Sequence, residues 1–168
     1  MVRTRSCGVG SVEQTARMPV DVPANLTIVT LGVSDLERSA RFYADLGWEQ
    51  RGNLADGIVW FRTSGSWVGL YPYDELATDT RVDAVSQDDQ PVFRGITLAI
   101  NLGSEDAVDL AFARVHEVGG RIVKPAEHTP WGGYSGYFAD PNGHLWEIAH
   151  APMFHPDEHG RIEIGSPS

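Results

Sequence analysis

One pattern occurs twice along this 168-residue chain, and it limits the fold more than any single residue does. An apolar, β-branched run is followed by a capped amphipathic helix and then by further strand-like runs. The opening runs place Ile28 and Thr97 69 residues apart, and the cap serines, Ser34 and Ser104, lie 70 apart. A repeat of that length is one supersecondary unit used twice.

In the first copy, Leu26 to Val33 reads as a strand. Ser34 with Glu37 three residues on predicts a capping box. Leu36, Ala40, Tyr43 and Leu46 then share one helical face, and Gly47 ends the helix. Strands are predicted over Gly57 to Thr63 and Ser66 to Tyr73, joined by a Thr63-Ser64-Gly65-Ser66 turn. In the second copy, Ile96 to Leu102 is a strand and Ser104 caps a helix whose first turn holds Glu105 and Asp106. Val108, Ala111, Val115 and Val118 form its apolar face, and Gly119-Gly120 stops it. Strands follow at Arg121 to Lys124, Gly133 to Ala139 and His144 to His150, with a turn at Asp140-Pro141-Asn142-Gly143.

Each half is too small to bury its own sheet well. The expected fold is therefore α+β: two tandem βαβββ modules forming a curved mixed sheet around a cleft, with helices outside. Residues 25–151 make up this domain, with half-modules at about 25–75 and 95–151. The intervening stretch, 74–94, is rich in Asp and Glu and reads as a solvated acidic linker or long loop. Residues 1–24 have no apolar period and read as a disordered leader in which Met18 is an alternative start, and 152–168 read as a polar tail.

The formal charge of −10 disfavours phosphate backbones and anionic membranes, so neither nucleic acid nor a membrane is an expected partner. No apolar run is long enough for a membrane helix. Cys7 is the only cysteine, so no internal disulfide is possible, and a reducing cytoplasm is the expected compartment.

The wording of the two ends resembles the vicinal oxygen chelate superfamily, which includes glyoxalase I, bleomycin-resistance proteins and extradiol dioxygenases. Val29-Thr30-Leu31-Gly32-Val33-Ser34-Asp35-Leu36-Glu37-Arg38-Ser39, Phe42-Tyr43 and Leu46-Gly47-Trp48 carry it at one end. Gly136-Tyr137-Phe138-Ala139-Asp140-Pro141-Asn142-Gly143-His144-Leu145-Trp146-Glu147-Ile148 carry it, more specifically, at the other. The resemblance implies the fold above and often a homodimer whose chains complete or flank each cleft. It does not fix the activity, since the superfamily holds lyases, dioxygenases, transferases and plain binders.

The resemblance also implies metal ligands at four strand positions, which fall here at Ile28, Leu70, Thr97 and Glu147. Their neighbours Thr27, Val29, Gly69, Tyr71, Ile96 and Leu98 add no strong ligand. One carboxylate does not hold a catalytic metal, which takes about three protein ligands. No divalent metal or other cofactor is therefore expected. His144 and His150 share one face of a strand while Glu147 points to the other, so these three do not converge.

Neither a phosphate-cradling loop after a strand nor a Gly-x-Ser-x-Gly elbow is present. Glu147 is the candidate catalytic residue, as a general acid or base, with a structural hydrogen bond as the competing reading. The tryptophans and tyrosines on the predicted strands outnumber what a core of this size buries with every N–H and O–H satisfied. Trp60, Trp67, Tyr71, Trp131 and Tyr137, with Glu147, are the candidate ligand-binding set. The expected function is binding of a planar aromatic or amphipathic small molecule in an aromatic-lined cleft. The alternatives are a metal-dependent lyase, isomerase or dioxygenase using Glu147 in an atypical site, and a structural or regulatory partner protein.

Overall fold

The structure, a computed structural model, describes residues 22–84 and 93–165. Most of the expected leader, Met18 included, and the middle of the acidic linker lie outside the described residues. The first half comprises β1 (Ile28–Val33), α1 (Leu36–Asp45), β2 (Gln50–Arg51), β3 (Val59–Arg62), β4 (Trp67–Pro72) and α2 (Tyr73–Thr80). The second comprises β5 (Leu98–Asn101), α3 (Glu105–Glu117), β6 (Arg121–His128), β7 (Tyr134–Ala139) and β8 (Leu145–His150). The strands form two four-stranded mixed sheets, ordered β1-β4-β3-β2 and β5-β8-β7-β6. The tandem βαβββ architecture is thus as expected, with the sheet surface divided in two and not closed.

In each sheet the first strand lies parallel to the last strand of its half, and the other pairs are antiparallel. Alternation gives each strand a core side. Leu31, Val33, Val59, Phe61, Val68 and Leu70 from the first sheet meet Phe138, Trp146 and Ile148 from the second in one buried cluster. Helix α1 joins the two: Tyr43 lies 5.5 Å from the Phe61 ring and 6.0 Å from that of Trp146.

The start of α1 differs from the expected capping box. Asp35, not Ser34, is the N-cap, accepting from the Arg38 backbone N–H at 2.9 Å. Glu37 pairs with Arg41 instead of reaching back to a backbone amide. Ser104 caps α3 as predicted, through the Ala107 N–H. The acidic stretch also needs correction, because its first residues fold as α2. Asp74 and Glu75 occupy its first turn, where acidic side chains favour the helix dipole. Tyr73 and Leu76 lie so close to Gly32 that a Cβ there would meet the Tyr73 ring at 2.8 Å.

Candidate ligand site

Cross-strand neighbours share a face, so the register shows which candidates stand together. Trp60 faces Gly69 across β3–β4, Thr30 faces Gly69 across β1–β4, and Trp67 and Tyr71 follow the same alternation. These residues occupy the side of the first sheet turned away from its core. The Trp60 ring lies against both Gly69 and Gly52; a Cβ at Gly69 would stand 3.4 Å from it. Tyr71 hydrogen-bonds Glu75 of α2, which, ahead of burial, pushes its phenol pKa up.

On the second sheet, Tyr137 and Glu147 are direct cross-strand partners on the side opposite Trp146 and Ile148. Partial burial, then the Glu147 charge and the hydrogen bond between them, raise the Tyr137 pKa. The phenol thus stays a donor and the carboxylate its acceptor. Ser135 and Ala149, two residues along the ladder on the same face, are both buried beside the pair. Trp131 stands apart in the β6–β7 turn, 48% exposed and folded over Gly133.

The register also refines the four positions at which related folds hold a metal. Val68 pairs with Val29 as Trp146 pairs with Leu98, so Gly69, one residue from Leu70, is the counterpart of Glu147. Leu70 is wholly buried in the core. Residues sharing the Glu147 face on β5 are Ala99 and, by alternation, Thr97. The set therefore offers one carboxylate among Ile28, Gly69, Thr97 and Ala99, which does not fit a divalent metal. Among the described residues no three His, Cys, Asp or Glu side chains group as metal ligands.

Two histidines serve the backbone instead. His144 Nε2 lies 2.8 Å from the Gly32 carbonyl, and His150 Nδ1 lies 3.0 Å from that of Leu102. The first of these is part of a clasp that residue spacing did not reveal. Asp140 Oδ1 accepts from the Asn142 and His144 backbone amides, and Asp140 Oδ2 accepts from the Tyr43 hydroxyl at 2.8 Å. The Trp146 indole N–H donates to that same hydroxyl. Asn142 Oδ1 accepts from both the amide and the hydroxyl of Ser34, and its Nδ2 donates to Ser39. The Asp140-Pro141-Asn142-Gly143 turn of the second half thereby holds the start of α1 in the first. Burial, foremost, and the Asp140 charge push the Tyr43 pKa well above its ordinary value.

A cavity of about 950 Å³ opens between the halves. Val29, Trp48, Val68, Leu98, Ile100 and Trp146 give it apolar walls. Thr63, Ser64, Ser66 and Asn101 supply neutral polar groups, and His159, Gly160 and Ile162 of the C-terminal segment also line it. None of the six residues selected from the sequence lines it. Trp48 was visible only as part of the Leu-Gly-Trp motif after α1.

The family model for the Glyoxalase/Bleomycin resistance protein/Dioxygenase superfamily matches residues 25–148. A glyoxalase-related enzyme from Fulvimarina pelagi is 32% identical, with a TM-score of 0.75 over 86% of this chain and 100% of that one. A glyoxalase/bleomycin resistance protein/dioxygenase from Nocardioides is 28% identical, with a TM-score of 0.64 over 79% of this chain and 85% of that one. A lactoylglutathione lyase from Agrobacterium tumefaciens has a TM-score of 0.59 over 79% and 97% of the two chains, and at 22% identity it bears on the fold alone. No helix among the described residues is long and apolar enough to cross a membrane.

Proposed function

The chain belongs to the glyoxalase/bleomycin resistance protein/dioxygenase superfamily, and from that premise we propose that it is a small-molecule-binding protein that works without the superfamily's metal. The observation that carries this reading is the donor set. Glu147 is the only good ligand at the four metal positions, and its carboxylate already accepts a hydrogen bond from Tyr137. The ligand is a planar aromatic molecule with an amine or other hydrogen-bond donor. Glu147 anchors it, Tyr137 flanks the anchor, and the aromatic face bearing Trp60, Trp67 and Tyr71 contributes stacking surface from a second copy of the chain. The acidic net charge of −10 favours a cationic or neutral ligand over an anion.

Metal analysis of untagged protein, followed by titration with amine-bearing aromatics while its five tryptophans are monitored, tests the reading. Expected are no stoichiometric divalent ion and saturable binding that Glu147→Gln weakens by about 1–3 kcal/mol, the range for a charge-assisted hydrogen bond. A stoichiometric ion, or equal binding by Glu147→Gln, overturns it. Sedimentation tests the proposed homodimer: a single 18.4 kDa species at micromolar concentration refutes it.

A further inference from the structure

We propose that the cavity between the halves is a second binding site, independent of Glu147, for flat, uncharged aromatic molecules with an amide-type edge, an N–H beside a C=O. Its volume, about 950 Å³, lies within the roughly 300–1,000 Å³ typical of small-molecule sites. The Trp48 and Trp146 rings stand nearly perpendicular, 5.4 Å apart, and with Val29, Val68, Leu98 and Ile100 they offer apolar surface to a planar guest.

The edge chemistry comes from β5. Among the described residues that strand pairs with β8 only, so its other edge has no ladder partner. Leu102 N–H donates to the Ala149 carbonyl, which fixes the phase of the ladder. Backbone groups of Leu98, Ile100 and Leu102 therefore turn toward β8, and those of Ala99 and Asn101 turn away. Both of the latter residues line the cavity. An unpaired strand edge offers an N–H and a C=O in one plane, which an amide-type edge complements. The half-buried carboxamide of Asn101, which alternation puts on the Ala99 side of β5, has no hydrogen-bond partner among the described residues.

Two of the ionisable side chains at the cavity already have partners. Glu49 pairs with Arg51 at 2.6 Å, and His159 lies 3.6 Å from the Glu158 carboxylate. Arg62 also lines the cavity, from an exposed position on the Trp60 side of β3. The remaining polar lining is neutral.

The outer wall is built rather than incidental. Asp157 accepts from the backbone amides of His159 and Arg161 and from the Arg161 guanidinium, which shapes residues 157–161 into a turn. That turn brings Gly160 to Ser64, where a Cβ would stand 3.3 Å from the serine hydroxyl.

Calorimetric titration of the full chain with 2-quinolone, and with N-methyl-2-quinolone as the analogue lacking the N–H, tests the proposal. Expected is saturable binding of 2-quinolone, with the N-methyl compound weaker by roughly three- to tenfold or more, as for a lost hydrogen bond. Asn101→Leu should weaken 2-quinolone by a similar factor, and Ser64→Trp, which fills the mouth from an exposed turn, should abolish binding. Because 2-quinolone also carries a hydrogen-bond donor, the titrations are repeated in Glu147→Gln, which disables the anchor proposed above; binding should persist there and Ser64→Trp should still abolish it. No saturable heat up to about 1 mM overturns the proposal. So does 2-quinolone binding that survives both Asn101→Leu and Ser64→Trp in the Glu147→Gln background, or binding lost in Glu147→Gln itself.

Discussion

Replacing Tyr43 by Phe removes one oxygen from the most buried polar junction described above. Tyr43 is 0% exposed and Asp140 is 4% exposed, so water does not replace the lost group. The ring contacts of Tyr43 with Phe42, Trp48, Phe61 and Trp146 survive in Phe, so no side-chain cavity opens. Two partners are stranded: Asp140 Oδ2, which loses its 2.8 Å donor, and the Trp146 indole N–H, which loses its 3.1 Å acceptor. A stranded buried polar group costs about 1–3 kcal/mol, so the expected loss for the two is about 2–6 kcal/mol. For a chain of this size that corresponds to a fall in Tm of roughly 4–24 °C. Urea unfolding followed by tryptophan fluorescence should show a lower midpoint with an unchanged slope, since the surface exposed on unfolding is the same. Adding Trp146→Phe should then cost less than it does in the wild type, because the two groups share one hydrogen bond. A loss below about 0.5 kcal/mol would refute the argument that the clasp is a desolvated network, since exposed substitutions commonly fall in that range.

Stability should also fall at alkaline pH. The folded state keeps the Tyr43 proton that an unfolded chain releases near pH 10.0, so this contribution is complete below that pH and declines as pH rises above it; an alkaline limb as steep in Tyr43→Phe as in wild type would count against it. Gly136→Ala should destabilise by about 1–3 kcal/mol, because its Cβ would stand 2.7 Å from the Ala126 nitrogen and the Lys124 oxygen, backbone atoms that cannot rotate away; an unchanged urea midpoint would show that β6 yields. Asp157 should titrate at about 2, held down first by the Arg161 amide and then by its guanidinium, so the turn at 157–161 is fully held above pH 3.8 and loosens as pH falls toward 2. Proton NMR of an Arg161→Ala variant should place that carboxyl nearer its ordinary 3.8, and a wild-type midpoint already there would contradict the geometry.

Periodicity revealed what depends on neighbours in sequence. Ala40 and Tyr43 on α1, and Val108 and Val115 on α3, are buried where their spacing put them. The β3–β4 hairpin follows its turn residues. What escaped was tertiary. Ser34 looks like a cap by spacing, but its amide and hydroxyl go to Asn142, 108 residues away, and Asp35 does the capping. The acidic residues of α2 are exposed as read, but their count hid the helix that lays Tyr73 and Leu76 over Gly32. Strand β6 runs on to His128 through Pro125, where register shifts absorb the irregularity. Trp60, Trp67 and Tyr71 share the face of the first sheet turned from its core, yet the halves meet through their core sides. Which aromatics line the space between them was thus decided by Trp48, in a loop without a period of its own.

The clasp has a consequence for a chain made from its N-terminus. Helix α1 is synthesised about a hundred residues ahead of the turn that fastens it, with separations of 97 for Tyr43–Asp140 and 112 for Gly32–His144. The fastening runs one way, because among the described residues the corresponding Thr63–Ser66 turn of the first half hydrogen-bonds only to itself. During elongation the first half therefore waits with Tyr43 and Ser34 unsatisfied, and contacts this distant in sequence form slowly. A nascent chain halted before Asp140 should be cleaved readily by protease within α1, and the same helix should become resistant only after Trp146 has emerged. The two halves were built alike, but the second acts as the first one's folding partner, and it arrives last.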